Sequence, residues 1–412
     1  MGMPELFTVV TPREAWLKLE PFLSPISRIE TVSTADALAR VLAEDMVAPS
    51  ALPSFARSAM DGYAVRAEDT FGASEGLPAY LTVTGELRMG APAEISLASG
   101  QAALIHTGGM LARDADAVVM VENTRQVDAS TIEVVRPVAR GENVIQIGED
   151  ITEGEVLLSR GSLLRAQDIG GLLALGIIDV CVFQRVRVAL ISTGDELVPP
   201  EEEPGPGQVR NTNAYTLASL AARTGAVPLR LGIIKDDYEA LCQAAQKGMR
   251  EADVVVISAG SSVSIRDMTA DVINSMGQPG ILVHGVSLKP GKPTILALVD
   301  GKPVFGLPGN PGSAMITFGL FVVPAIQRLG GCRQLPRPCE TRARLVRNIP
   351  SAAGREDYVV VRLEERDGEL WAEPMFGKSN LLFPMIKADG IAVVPLDKGG
   401  LAAGEEVLVR MF

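Results

Sequence analysis

Between Arg185 and Leu329 the apolar positions of the chain switch between two spacings. Short, mostly β-branched runs, "VRVALI" from Val186, "VPLRLGII" from Val227, "DVVVIS" from Asp253 and "ILVHGVSL" from Ile281, are nearly free of polar interruptions. Between them, Asn213–Arg223, Tyr238–Arg250 and Met268–Ser275 have helical texture, and Gly225 closes the first of these. Strand-length runs alternating with helix-length ones predict a parallel, doubly wound α/β sheet. A hairpin over Thr294–Leu307, turning at Asp300-Gly301, and a long helix after Pro311 complete this segment.

The flanks read differently. Thr11-Pro12-Arg13-Glu14 has the form of a capping box with proline at the first helical position, so a helix starts there. A second helix is expected over Ala35–Ala43. From Pro49 to Glu149 short β-branched runs broken by glycine predict a β-rich insert. Helical texture returns in "RGSLLRAQDIGGLLALGI" from Arg160, which rejoins the first segment. From Arg333 the pattern is strand-only, with an Asp-Gly turn inside "EDYVVVRLEERDGELWAEP", and a small β-barrel or sandwich is expected. The expected domains are therefore 1–48 with 149–184, mixed and helical; 49–148, β-rich; 185–332, α/β; and 333–412, a small β-barrel.

A length of 412 residues allows two to four domains, and 47% hydrophobic with 21% charged residues describes an ordinary globular chain. A net charge of −12 speaks against a nucleic-acid partner, because phosphate backbones need a basic face. The four cysteines form no CxxC pair, which fits a reducing compartment and neither a disulfide frame nor a zinc site. With only two histidines, any metal here is expected to be oxygen-ligated, which favours Mg²⁺. The first residues lack a basic segment followed by an apolar core, so no signal peptide is expected. The longest apolar runs, such as Ile169–Val182 and Met315–Ile326, read as too short or too interrupted for a membrane span. The protein is expected to be cytoplasmic.

The polar motifs fall where the strands of the α/β segment end. "VALI" runs into Ser192-Thr193-Gly194-Asp195-Glu196, "LGII" into Lys235-Asp236-Asp237, and "VVVI" into Ser258-Ala259-Gly260-Ser261-Ser262. "LVHGVSL" runs into Lys289-Pro290-Gly291-Lys292, and "VFGL" into Pro308-Gly309-Asn310-Pro311. On parallel strands these loops share the carboxyl edge of the sheet, where ligands of this architecture bind. Two lysines beside a glycine-rich helix entrance suit an anion, with cations on one side and backbone N–H groups on the other. Each motif also has a plainer role: Ser192–Glu196 and Asp236-Asp237 as helix caps, the lysines as solvated turn charges, and the serines as a cap for a helix beginning near Met268. In the N-terminal half, Asp61 in "SFARSAMDGYAV" and Thr107 before paired glycines stand out without declaring a chemistry.

Taken in order, "SAMDGYAV" (Ser58–Val65), "HTGGMLARDADAVVMVE" (His106–Glu122), "GEDI" (Gly148–Ile151), "STGDEL" (Ser192–Leu197), "KPGKP" (Lys289–Pro293) and "LPGNPGSA" (Leu307–Ala314) resemble the molybdopterin molybdenumtransferase family, which includes the C-terminal domain of gephyrin. The resemblance spans nearly the whole chain. It implies a homodimer of four-domain subunits, with a central molybdopterin-binding α/β domain, that inserts molybdate into adenylylated molybdopterin with Mg²⁺ and releases AMP. An upstream molybdopterin adenylyltransferase and recipient molybdoenzymes are the partners it implies.

By that resemblance Asp61, Thr107, Asp150, Glu196, Asp237, Asp267, Lys289 and Lys292 would carry the reaction, the first three reaching the site from the opposite subunit. Glu196, Asp236, Asp237 and Asp267 would hold Mg²⁺, with Asp195 near them. Thr193, Gly194, Ser258, Gly260, Ser262, Pro308, Gly309, Asn310, Ser313, Arg355 and Ser379 would bind the pterin substrate. One stretch departs from the family pattern Gly-Gly-x-Ser-x-Gly-x-x-Asp: Ala259 and Ser264 replace two glycines and Arg266 adds a charge, while Ser262 and Asp267 are retained. The alternatives are a non-catalytic molybdopterin carrier and a molybdopterin adenylyltransferase; the N-terminal insert and β-tail argue against the latter.

Overall fold

The computed structural model describes residues 9–259 and 263–412 and divides into two compact units. The larger comprises Met1–Glu44, Arg160–Ala166 and Asp179–Phe412; the smaller comprises Asp45–Ser159 and Gln167–Ile178.

The larger unit is built on a six-stranded sheet. Its strands are β1 (Arg187–Thr193), β2 (Val227–Ile234), β3 (Val254–Ala259), β4 (Pro279–His284), β5 (Ile295–Val299) and β6 (Lys302–Pro308), in the spatial order β2-β1-β3-β6-β5-β4. The first four of that order run parallel, whereas β5 lies antiparallel to both β6 and β4. The sheet is therefore mixed rather than wholly parallel. The β5–β6 hairpin turns at Asp300-Gly301, both at positive φ (47° and 81°), as the sequence predicts.

Alternation along each strand sends side chains to two cores. Val188 and Leu190 of β1, Val254 and Val256 of β3 and Phe305 of β6 join one apolar cluster, whereas Ala189, Ile191, Val255, Ile257 and Val304 join the other. Both faces are covered, which is why β1 and β3 read as near-continuous apolar runs. The first face is covered by helix Asn213–Arg223 and by the last helical stretch, Pro311–Leu329; the second is covered by helices Tyr238–Glu251 and Val263–Ser275. The helix Pro12–Leu19 adds Ala15 and Leu19 to the first cluster. Its capping box forms, with Thr11 Oγ1 accepting from Glu14 N at 3.1 Å and Glu14 Oε2 from Thr11 N at 2.8 Å.

Pro311–Leu329 passes, by length and composition, as long and apolar enough to cross a membrane, a point the shorter run Met315–Ile326 obscures. Of its most apolar window, 61% is buried inside the protein, as in a core helix. A π-helical stretch, Phe318–Val322, interrupts it just before Pro324. Proline lacks the N–H and crowds the carbonyl four residues back, and a wider turn accommodates both.

Five C-terminal strands close into a barrel: Glu356–Arg366, Glu369–Pro374, Glu340–Leu345, Glu406–Met411 and Gly390–Val394, the last pairing back onto the first. Asp367-Gly368 makes the expected hairpin turn with both residues at positive φ. The tail is not strand-only, because a short helix, Phe383–Lys387, precedes Gly390. The two-residue strand Leu288–Lys289 pairs with Glu356–Asp357 and so ties the Lys289–Lys292 loop to the barrel.

The smaller unit holds a mixed six-stranded sheet, in which Gly62–Val65 pairs with the edge strand Ala117–Met120 and with Gln101–Ile105, with apolar clusters on both faces. The helix predicted over Ala35–Ala43, in the larger unit, does not form. Only Thr34–Asp36 makes a helical turn, while Val41 and Leu42 make antiparallel bridges to Leu163 and Val182. Tertiary pairing of these apolar residues outweighs local helix propensity.

Candidate active site

Strand direction puts the five motif-bearing loops on one edge. β1, β2, β3 and β6 end there, and so does β4, which runs with β6 because each is antiparallel to β5. Gly260 and Ser262 lie outside the described residues.

At the β1–β2 end, Thr193 is buried and its Oγ1 donates to Asp236 Oδ1 at 2.8 Å. Asp195 Oδ1 accepts from Asp236 N at 3.3 Å. A Cβ on Gly194 would come within 2.6 Å of Glu196 Oε2, so glycine is what lets that carboxylate fold back over the loop. Ser192–Glu196 is not a helix cap, since a two-residue strand, Leu197–Val198, follows it. Asp237 does cap a helix, accepting from Ala240 N at 2.8 Å. Asp267 is exposed in the second turn of helix Val263–Ser275, which begins five residues earlier than the sequence predicts.

Ser258 accepts from Asn213 Nδ2 at 3.2 Å, and the same amide donates to Gly309 O at 2.7 Å. Asn213, the first residue of its helix, thus pins the end of β3 to the Pro308–Pro311 loop. Sequence reasoning assigned Asn213 only to a helix start; its amide pair is a product of folding.

The β6–β4 end opens into a cavity of about 710 Å³ between this edge and the barrel. Lys289, Lys292, Pro308, Asn310, Ser313, Arg355 and Ser379 all line it, so seven of the predicted residues meet in one place. Asn310 Nδ2 donates to Ser379 Oγ at 3.0 Å and Gly312 N to Ser379 O at 3.1 Å, which clamps the Gly377–Ser379 segment over the helix entrance. Lys378 also lines the cavity, bringing its cations among the described residues to four against a single carboxylate, Asp357. In a chain of net charge −12, that local excess of positive charge selects for an anion. Gly291 sits at φ +121°, and a Cβ there would approach Thr317 Cγ2 to 2.5 Å and Leu288 Cδ1 to 2.6 Å. Only glycine lets the two-lysine loop lie this close to the helix below it.

The remaining predicted residues are in the smaller unit. Asp61 ends a bend over residues 59–61 and immediately precedes the strand Gly62–Val65. Its Oδ1 accepts from Thr107 N at 2.8 Å and Thr107 Oγ1 at 3.1 Å, with His106 Nδ1 3.8 Å away. The Thr107 amide, then its hydroxyl, hold the exposed Asp61 carboxyl below the usual carboxylate range, and His106 adds to this. Asp150 is exposed and its backbone N–H binds Leu52 O at 3.0 Å.

Three family models match consecutive parts of this sequence: "MoeA N-terminal region (domain I and II)" over residues 10–176, "Probable molybdopterin binding domain" over 189–328, and "MoeA C-terminal region (domain IV)" over 342–412. The chain belongs to the MoeA, or molybdopterin molybdenumtransferase, family. It is 35% identical over 396 residues to the molybdopterin molybdenumtransferase of Nostoc sp., covering 95% of this chain and 90% of that one. To the enzyme of the same name from Haemophilus influenzae it is 32% identical over 410 residues, 99% of each chain. The crystal structure of the molybdopterin biosynthesis MoeA protein from Pyrococcus horikoshii superposes with a TM-score of 0.79 at 38% identity, covering 98% of this chain and 99% of that one. The cationic cavity falls where the second and third family matches adjoin.

Proposed function

We propose that this protein inserts molybdate into adenylylated molybdopterin, forming molybdenum cofactor and releasing AMP in a Mg²⁺-dependent reaction. The observation that carries the proposal is the cavity of about 710 Å³, lined by Lys289, Lys292, Arg355 and Lys378, in a chain of this family. Its volume suits a ligand of pterin or nucleotide size. Both molybdate and the substrate's phosphates are anions, and cations with backbone N–H groups are what desolvated oxyanions require. Lys289 and Lys292 would receive the oxyanion, Arg355 and Ser379 would orient it, and Pro308–Ser313, the strand end and helix entrance, would hold the pterin side. Thr193, Gly194 and Ser258 would bind the adenylate portion.

Among the described residues no three Asp, Glu, His or Cys side chains form a metal cage. Mg²⁺ needs no such cage, because it keeps several waters and is held by one or two carboxylates together with substrate phosphates. Glu196 and Asp236 would fit that role, and Asp267 is exposed on the neighbouring helix; Asp236 and Asp237 each have one oxygen engaged, by Thr193 and by the Ala240 cap, and would offer the other. When bound there, Mg²⁺ would act as a Lewis acid at the phosphoanhydride. The same proposal includes a homodimer in which Asp61, Thr107 and Asp150 of one subunit serve the cavity of the other. The exposed, charge-favouring setting of Asp61 supports it.

The test is to mix the purified protein with adenylylated molybdopterin, Mg²⁺ and molybdate and measure AMP. Molybdate-dependent AMP release with loading of the pterin is expected. Tight pterin binding without AMP release would leave a carrier, and would overturn the enzymatic assignment.

A further inference from the structure

Four cations around an oxyanion cavity are self-explanatory, but the one carboxylate among its described lining residues is not. Asp357 is only 2% exposed, and its charge repels any anion that enters. What it touches suggests why it is there. Arg355 Nε donates to one of its oxygens at 2.8 Å and Arg355 Nη2 to the other at 3.4 Å. Lys289 Nζ stands 3.7 Å from the second oxygen. The backbone repeats the link, since Lys289 lies opposite Asp357 in the short parallel pairing of Leu288–Lys289 with Glu356–Asp357.

We propose that Asp357 is a positioning residue: it fixes Arg355 and Lys289 relative to each other, and so sets how tightly the cavity holds a tetrahedral oxyanion. The inference rests on the reading of this cavity as the molybdate site. A guanidinium has five N–H donors in a rigid fork. The side-on pair with Asp357 uses two of them and leaves the Nη1 hydrogens and one on Nη2 for a ligand. Lys289, whose side chain is 59% exposed, retains donors in the same way. A buried carboxylate also offsets the mutual repulsion of two neighbouring cations before any anion arrives. The benefit of preorganisation and the cost of repulsion have opposite signs, so measurement can decide between them.

The experiment is calorimetric titration of the full chain with sodium molybdate. Asp357→Asn keeps the shape and makes the cavity one charge more positive, yet it is expected to weaken molybdate about tenfold, as lost preorganisation does. Asp357→Glu is expected to recover part of that loss. In an Arg355→Ala background the effect of Asp357→Asn is expected to shrink below about threefold, the signature of residues that act through one another. Equal or tighter binding by Asp357→Asn would overturn the inference, and so would a full tenfold loss persisting without Arg355. Should the Asp357 variants not fold, Arg355→Lys tests the same fork in the intact chain: about tenfold weaker binding is expected, and unchanged affinity would overturn it. Failure of the unaltered protein to bind molybdate would overturn the cavity's assignment and this inference together, whereas binding indifferent to Asp357 would overturn the inference alone.

Discussion

The cavity of the larger unit and the Asp61–Thr107 pair of the smaller one use charge in opposite ways. At the cavity, exposed cations are tied from beneath to a buried acid, Asp357, and to a loop that packs without room for a Cβ at Gly291. Around Asp61 the charge is at the surface, its side chain 64% exposed, and one neighbouring residue supplies both hydrogen bonds. The first arrangement is built into packing and the second into strand pairing, since Gly62–Val65 and Gln101–Ile105 run antiparallel and bring Asp61 beside Thr107. Changes at the cavity should therefore divide sharply between loss of chemistry and loss of stability, according to whether they touch the rim or the floor. Changes at Asp61 should affect chemistry and leave the fold almost untouched.

The largest effect is expected from the rim. Replacing Lys289 and Lys292 together by alanine removes two donors from an oxyanion and should lower AMP release by about 100-fold or more, with a melting temperature close to that of the unaltered protein. A double variant that turned over normally would separate the cavity from the reaction. Asp61→Asn comes next. It keeps the shape of the side chain and removes its charge, and turnover is expected to fall by roughly tenfold or more without loss of folded protein. If the site is shared between subunits, mixing Asp61→Asn with Lys289→Ala chains under subunit exchange should restore part of the activity. No recovery from exchanged mixtures would place both residues' roles within a single chain.

How much of this was legible in the sequence follows the same division. Local signals translated directly: the Thr11–Glu14 capping box, the Asp300-Gly301 and Asp367-Gly368 turns, and the strand runs whose ends carry the loops. Their physics resides in a few consecutive residues, so a linear reading captures it. Groups defined by distant partners were not legible. Asp357 reads as one more charge in an alternating strand until Lys289 is placed opposite it. Asn213 reads as a helix start until its amide meets Ser258 and Gly309. Ala35–Ala43 reads as helix because nothing local reveals the bridges of Val41 and Leu42. Asp61 and Thr107 stood out in the sequence, but only the resemblance to a known family supplied a role for them, and their pairing spans 46 residues.

The floor of the cavity should respond in stability. Gly291→Ala puts a Cβ against Thr317 and Leu288 at a φ of +121°, and is expected to cost about 1–3 kcal/mol in urea unfolding. A neutral result would mean that the loop shifts easily, and that its lysines are held less firmly than the packing implies. Asp237→Ala should cost less, about 1 kcal/mol, through loss of the Ala240 cap. If turnover per folded molecule also collapses, Asp237 serves the metal as well as the helix.

The smallest effect is a test of the surface arrangement itself. Hydrogen bonds from Thr107 favour the ionised form of Asp61, so its carboxyl titrates lower in the folded protein than in the unfolded chain, where an Asp titrates near about 3.9. A group depressed on folding contributes stability above the unfolded value, and that contribution disappears as pH falls through the lower, folded value. Asp61→Asn lacks this titration while its amide oxygen can still accept from Thr107 N. The urea midpoints of the unaltered protein and the variant should therefore differ slightly at neutral pH and converge as the solution is made acidic. A difference that stayed constant across the acid range would mean that the Thr107 bonds do not distinguish charged from neutral Asp61. The contrast with the buried, cation-bound Asp357 would then rest on burial alone.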